Sequence, residues 1–447
     1  MAKRAKYEGF IDSLPDSILC HILSFLSVRD AVRTSVLSRR WRYLFTSSIS
    51  NIDLDCSSYP WPSPVTEELN NSFKKFVDRL FFNPDHLRLE RIRVSDHSLG
   101  ADFLTIYNWL CAALWRGVKE IELYLYNVAI PELPSLLFTC SSLVKLILFI
   151  SYWEMKVPTN AYLPNLRTLH LSYVRIVDGC SFPRLISGCP VLEDLGLCDC
   201  SIDGTSELNI SSLSLKRLVL DFDTLVDIST YRGRNDFDHT IVIDAPSLVY
   251  FEYLCLAAGG YTLNMGSLET ADITIFHYSD ADRERSAALL QGICNARVLH
   301  LSITDFDAPL FRLPPDPVLA FNNLVELKFM NPCEYRMVSV TWTVEFLCCV
   351  PNLKTFTLVL GGADIEFESL LEKVPSCLLY HLKEISIIHY RGVTHMFELV
   401  SYFLKHASVL EKLSMSSINA LQECQSSIME ILWSLPKKSN KCKFEID

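Results

Sequence analysis

Glycine is scarce in this chain, with 15 among 447 residues. That leaves little material for phosphate-cradling loops, and no Gly-x-Gly-x-x-Gly or Gly-x-x-x-x-Gly-Lys-Ser/Thr stretch occurs. Gly-x-Ser-x-Gly and His-Glu-x-x-His are missing too, which removes common hydrolase and metalloprotease signatures. No Cys-x-x-Cys exists among the 16 cysteines; Cys198/Cys200 and Cys348/Cys349 are the closest pairs. A structural zinc site wants ligands two to four residues apart, twice over, so no metal is expected. Positive charge is in deficit, 41 Lys/Arg against 52 Asp/Glu, which argues against holding nucleic acid by bulk electrostatics. No run of about 18 uncharged apolar residues appears, and the opening residues carry no apolar signal core. The expectation is a soluble protein of the cytoplasm and/or nucleus. It is read as having no membrane segment, no cofactor and no catalytic residue of its own.

Leucine, in contrast, is abundant: 67 residues, or 15%. Much of it falls in a recurring apolar-x-x-apolar-x-apolar motif. The motif appears as Leu89/Ile92/Val94, Val118/Ile121/Leu123, Leu143/Leu146/Leu148, Leu166/Leu169/Leu171, Leu192/Leu195/Leu197 and Leu215/Leu218/Leu220. It continues through Leu248/Phe251/Tyr253, Leu268/Ala271/Ile273, Ala296/Leu299/Leu301, Leu324/Leu327/Phe329, Leu353/Phe356/Leu358, Leu382/Ile385/Ile387 and Leu410/Leu413/Met415. The spacing, 20 to 33 residues, is that of a leucine-rich repeat. Each motif reads as a short strand with alternate residues facing inward. No single unit can bury its apolar side, so neighbours must stack on one continuous core. Segments such as 98–116 and 395–406 have helical periodicity, which places strands on one side and helices on the other. Cys140, Cys189 and Cys200 fall at fixed places in the period and read as small buried turn residues.

The x positions of each strand should face an open, concave surface. Glu122, His170, Glu252, Asp272, His300 and Lys328 are the candidate target-binding residues among them. Tyr124, Tyr126, Phe149 and Tyr250 nearby favour a protein ligand. His170 and His300 share a repeat position but lie five repeats apart, roughly 24 Å at about 4.8 Å per strand, too far to share a metal or a proton.

The first fifty residues differ in kind. Their formal charge is +4 against −15 for the remainder, which marks a boundary near residue 50. Beyond it, Pro60, Pro62 and Pro64 predict a linker. Within the head, 12–27 predicts a helix capped by Asp12 or Ser13, with Ile18, Ile22 and Leu26 on one stripe. Leu19, Leu23 and Phe25 widen that stripe. Ser27-Val-Arg-Asp30 predicts a capping box opening a second helix over 28–35, and Ser38 a cap for a third over 39–45. So much apolar surface on so few residues implies a docking partner.

Leu14-Pro15-x-x-Ile18-Leu19-x-x-Ile22-Leu23-x-x-Leu26, followed by Asp30-Ala31-Val32-x-x-Ser35-Val36-Leu37-Ser38-x-Arg40-Trp41, resembles the F-box. With the array behind it, the chain resembles the plant-type F-box/leucine-rich-repeat proteins. The stretch opening Val374-Pro-Ser-Cys377, together with 399–413, is similar to that subfamily's C-terminal FBD segment. The resemblance implies an α/β solenoid: a three-helix F-box over 1–50, then a curved, ribonuclease-inhibitor-like horseshoe. A linker and lead-in segment would span 51–85, the repeat array 86–374, and FBD-like C-terminal repeats and a cap 375–447.

It further implies a substrate receptor of an SCF-type ubiquitin ligase. The F-box would bind a Skp-type adaptor, and through it a cullin and a RING subunit, while the repeats hold a target protein. Carried over by motif position, adaptor contacts include Leu14, Pro15, Ile18, Leu19, Ile22, Leu23, Val32, Val36, Leu37 and Trp41, some of which must pack inside the F-box. The other reading is an adaptor-bound repeat scaffold that acts outside ubiquitination, since both roles need the same docking face.

Overall fold

The computed structural model describes residues 10–26, 28–34, 36–41, 44, 50–55, 74–75, 77–78, 81, 89–96, 102–126, 130–222, 239–256, 258–276, 280–303, 320–330, 338–360, 365–366, 374–390, 394–417 and 430–446. They divide into two compact units, residues 1–204 and 205–447.

In the first unit, six strands pair side by side and all parallel, in chain order. They are β1 (Asn51–Asp55), β2 (Arg91–Asp96), β3 (Glu120–Leu125), β4 (Lys145–Met155), β5 (Thr168–Ile176) and β6 (Asp194–Cys198). A short β7 (Ser201–Ile202) adds to the end of β5. Register follows the repeat motif: Ile52, Ile92, Ile121, Leu146, Leu169 and Leu195 stand in one line across the sheet. None is more than 3% exposed. Parallel neighbours need long crossovers. Here the helices Phe103–Trp115 and Ser181–Ser187 serve, burying Trp109, Leu110, Phe182 and Leu185 behind the strands.

The second unit contains β8 (Glu207–Ser211), β9 (Arg217–Asp221), β10 (Thr240–Asp244), β11 (Tyr250–Leu256), β12 (Gly260–Asn264), β13 (Thr270–Phe276), β14 (Val298–Ile303) and β15 (Glu326–Met330). It continues with β16 (Val338–Ser339), β17 (Thr355–Val359), β18 (Ile365–Glu366), β19 (Glu384–Tyr390), β20 (Lys412–Ser417) and β21 (Lys443–Ile446). The order β9-β11-β13-β14-β15-β17-β19-β20-β21 is again parallel, with Leu218, Phe251, Ala271, Leu299, Leu327, Phe356, Ile385, Leu413 and Phe444 in line. Even the weak motif member Ala271 keeps register and is fully buried. Neither line of strands closes on itself, as a stack of repeats requires.

Three differences from the sequence reading have physical causes. Between β6 and β13 the described connecting segments are strands rather than helices: β8, β10 and β12 form their own parallel sheet. Glu-Leu-Asn-Ile-Ser and Thr-Ile-Val-Ile-Asp alternate apolar and polar residues with period two, the pattern of a strand with one covered face and not of a helix. Next, the ladder holds a rung at each end beyond the thirteen motifs, β1 and β21. Ile52 and Leu54 fit the motif but sit within the expected lead-in segment, while the β21 rung has Lys441 in the first apolar place. Finally, the prolines at 60–64 lie outside the described residues, and β1 comes before them. The helix Val28–Thr34 rests against β1.

Cys140, Cys189 and Cys200 are buried beside turns, as expected. Cys200 donates its Sγ–H to the Leu171 carbonyl at 3.3 Å, and burial pushes its thiol up to about 12. No described cysteine is in a disulfide.

A chain beginning at Ser50 should therefore keep its far-UV spectrum and melt cooperatively. One beginning at residue 65 also loses β1 and bares the edge of β2. It should melt at least about 3 °C lower still, since each kcal/mol is worth about that in a unit of this size. Equal melting temperatures would mean that β1 adds nothing to the ladder.

Candidate functional site

The head separates two apolar faces. Its main helix starts at Asp16 and not at Asp12, correcting the expected cap: residues 10–13 form a 3-10 turn, and Pro15 takes the N-cap place without a side-chain hydrogen bond. Proline suits that place because the first helical N–H groups lack partners anyway. The anchoring comes from Arg40. Its Nη2 donates to the Leu14 carbonyl at 2.5 Å, and its Nε and Nη2 reach Asp16 Oδ1 at 2.8 and 2.6 Å. Ser38 accepts from the Trp41 N–H at 3.2 Å, the expected cap of the third helical segment. Ser27, the expected capping-box residue, lies outside the described residues.

Along the helix Asp16–Ser24, Leu19 and Leu23 turn inward and are buried, as are Ala31, Trp41 and Leu44. Ile18, Ile22 and Leu26, the i, i+4, i+8 stripe, turn outward at 46%, 39% and 39% exposure. Val36 and Leu37 are more exposed still. Leu14 is half-buried and Pro15 exposed. Of the ten adaptor candidates, Leu19, Leu23 and Trp41 thus belong to the head's interior. Ile18, Ile22, Val36, Leu37 and Pro15 are on its surface. The Val32 side chain lies outside the described residues. Ile11 and Phe25 are exposed beside them and were not among the candidates.

On the strand face, register decides which outward residues meet. Glu252, Asp272, His300 and Lys328 stand on consecutive strands in one row. Asp272 Oδ2 lies 3.3 Å from His300 Nδ1, while Arg217 and Tyr250 hold Glu252 at 3.4 and 2.9 Å. Burial, then the hydrogen bond it donates to Glu252, pushes the Tyr250 hydroxyl up to about 12. Glu122 and His170 share a row in the other unit, separated by Ile147. The His170 ring lies across Gly196, where a Cβ would approach it to 3.0 Å, so glycine there is a matter of space. His170 Nε2 is 3.1 Å from Asp194 Oδ1, too poorly aligned to count as a hydrogen bond.

Glu122 departs from expectation most. Its side chain is only 5% exposed, clamped by Lys145 at 2.7 Å, Arg91 at 3.1 Å and Arg93 at 3.9 Å. Burial opposes its charge, but Lys145 and Arg91 overcome that and hold the carboxyl below the usual range. Such a residue ties strands together more than it meets a ligand. No group of three metal-ligating side chains occurs among the described residues, and none of the described helices is long and apolar enough to cross a membrane.

Because the Glu122 carboxyl is depressed in the folded chain, its contribution is present above its ordinary value near 4.5 and lost as pH falls through the folded one. Glu122→Gln should cost about 1.5 kcal/mol at pH 7, the scale of a charged hydrogen bond. The difference from wild type should shrink below about pH 4, read from melts across pH. A difference that does not change with pH would remove the clamp from the account.

The family model for the F-box domain matches residues 11–53, that for the LRR repeats of FBD-associated F-box protein At5g56370 matches 106–282, and that for the FBD matches 371–415. The Arabidopsis thaliana F-box/LRR-repeat protein At4g14096 is 31% identical over 460 residues, 94% of this chain and 92% of that protein. The putative F-box/FBD/LRR-repeat protein At3g59240 of the same plant is 31% identical over 474 residues, covering 98% and 89%. F-box/LRR-repeat protein At4g14103 is 34% identical over 361 residues, covering 77% and 90%. Repeats in register, a head of short helices and full-length similarity agree: this chain belongs to the F-box/LRR-repeat family and carries an FBD segment.

Proposed function

We propose that this chain is the substrate-recognition subunit of an SCF-type E3 ubiquitin ligase. It docks on a Skp-type adaptor through the F-box and is thereby joined to a cullin and a RING subunit. The observation that carries the reading is the F-box match over 11–53, within which Ile18, Ile22, Leu26, Val36 and Leu37 are apolar and exposed. An apolar stripe left open on so small a head is stabilised by a partner. The reading includes the finer architecture implied by the family, a three-helix F-box and a curved horseshoe of repeats, working in the cytoplasm or nucleus. The chain performs no bond chemistry in this account. It positions a target on the strand face, where large protein ligands of such arrays bind.

Surface and interior candidates should behave differently on truncation. Val36→Ala with Leu37→Ala, or Leu14→Ala with Pro15→Ala, should weaken adaptor binding by about a hundredfold per pair and leave the melting temperature unchanged. Leu23→Ala should destabilise the head itself, by about 2 kcal/mol or more. Calorimetric titration beside thermal melts decides. Wild-type affinity in both folded double variants would remove the adaptor from the proposal.

Glu252→Lys and Asp272→Lys should change target capture while adaptor affinity stays constant. Capture that is indifferent to reversals on both units would move the site off the strand face. Reconstitution with adaptor, cullin and RING subunit completes the test. Self-ubiquitination supports the receptor, whereas its absence with intact adaptor binding makes the chain a scaffold.

A further inference from the structure

Four aromatic side chains gather where β3 ends and where β4 and β5 shift register. Phe149 is at the centre, with ring centroids 4.5 Å from Tyr126, 4.7 Å from Tyr173 and 6.4 Å from Tyr124. The rings are tilted 32° to 54° against Phe149, and all four residues are part-exposed. Regular strand geometry does not deliver Tyr173 to this face. Phe149 pairs in register with Ser172, so the next residue along β5 should point to the interior. Two features redirect it: a register shift, in which β4 advances from Phe149 to Trp153 while β5 advances from Ser172 to Val174, and a φ of 59° at Tyr173. That backbone region is unfavourable for any residue with a Cβ, and bulges commonly re-aim side chains near sites of use.

The charges on either side are already neutralised within the chain. Arg93 lies over the Tyr124 ring at 5.2 Å and reaches Asp53 at 3.7 Å and Glu122 at 3.9 Å. On the other side Arg175 lies between Glu154 at 3.1 Å and Asp203 at 2.6 Å. A charged anchor seated on the rings would have to break one of these pairs, but an uncharged one leaves them intact. Surfaces lined by aromatic rings are what extended proline segments dock on, because the polyproline conformation is preformed and binds with little ordering. We infer that the Tyr124–Tyr126–Phe149–Tyr173 cluster is the anchor point for the target, and that it takes an uncharged, proline-bearing extended segment of that protein. This inference rests on the strand face being the target surface and narrows it to one chemistry.

The probe is an acetylated and amidated decapeptide of prolines flanked by serines, titrated by calorimetry into the full chain. Wild type should bind it. Phe149→Ala should weaken binding at least about tenfold, as loss of a central anchor does. Tyr173→Gly should do the same without lowering the melting temperature, because glycine accepts the positive φ, so lost binding there is not lost folding. Versions of the peptide with glutamate or lysine at the central prolines should also bind at least about tenfold more weakly. No binding of the proline peptide at millimolar concentration overturns the inference. Equal binding of the charged peptides, or affinity unchanged in both variants, also does so. If peptide binding fails while reversals at Glu252 and Asp272 still alter target capture, the aromatic anchor falls and the strand-face reading survives. If both fail, the reading beneath it falls as well.

Discussion

No repeat in this chain can bury its own apolar side, and the remaining features of the fold answer to that constraint. A strand of five or six residues has two or three inward side chains, too few for a core, so each rung is stable only against the next. The next rung must also arrive in register, because a slip of one residue would turn the whole inward set to water. Thus Ile92, Ile121, Leu146 and Leu169 align, and Leu218, Phe251, Ala271 and Leu299 do the same in the second unit. The connecting segments are free to vary. A helix buries Leu110 in one connecting segment, whereas the strand β10 buries Ile241 and Ile243 in another.

That same register governs the outward residues, although nothing there needs burial. When inward side chains align, the positions between them align too, roughly 4.8 Å from their neighbours. A charge at such a position must therefore meet whatever the next repeat carries. Most such charges meet an opposite one or a hydroxyl: Asp272 faces His300, Glu252 takes Arg217 and Tyr250, and Ser386 lies 2.7 Å from Ser414. Glu122 is the limiting case. Three cations converge on one carboxylate and the side chain becomes interior, though its place in the motif is an outward one. Its burial arises from the neighbours' lengths and charges, not from its own residue type.

How much of this was legible in the sequence depends on how local each cause is. Inward positions are set by a short periodic motif, so the ladder and its register follow from the residues, down to Ala271. The F-box motif likewise names the head. What could not be read is the division of its ten marked residues between interior and surface. A stripe spanning most of a helix shows that two faces are apolar, and only the neighbouring helices decide which is covered. Leu19 and Leu23 are buried together with Trp41 and Leu44, while Ile18 and Ile22 stay outside. The left-handed backbone of Tyr173 and the clamp on Glu122 are equally non-local, each depending on residues more than 20 positions away. The strand β1 is a different kind of miss. Its signal, Ile52-x-Leu54, was present, but a run of prolines close behind suggested a linker.

The division of labour within each strand separates what holds the ladder from what can vary on its outer face. Backbone hydrogen bonds join the rungs whatever side chains the outward positions carry, and the inward leucines supply the burial. Changing an outward residue therefore leaves the ladder standing, provided its ionic partner is changed or is exposed enough to turn to water. Arg217, the partner of Glu252, has that freedom at the surface. Glu122 does not, since its removal would take from Lys145 and Arg91 the carboxylate they share and leave Arg91 only the longer 3.7 Å approach to Glu120. Outward positions such as Glu252, Asp272 and His300 are accordingly free to change without loss of the ladder, while Glu122 is held by the fold.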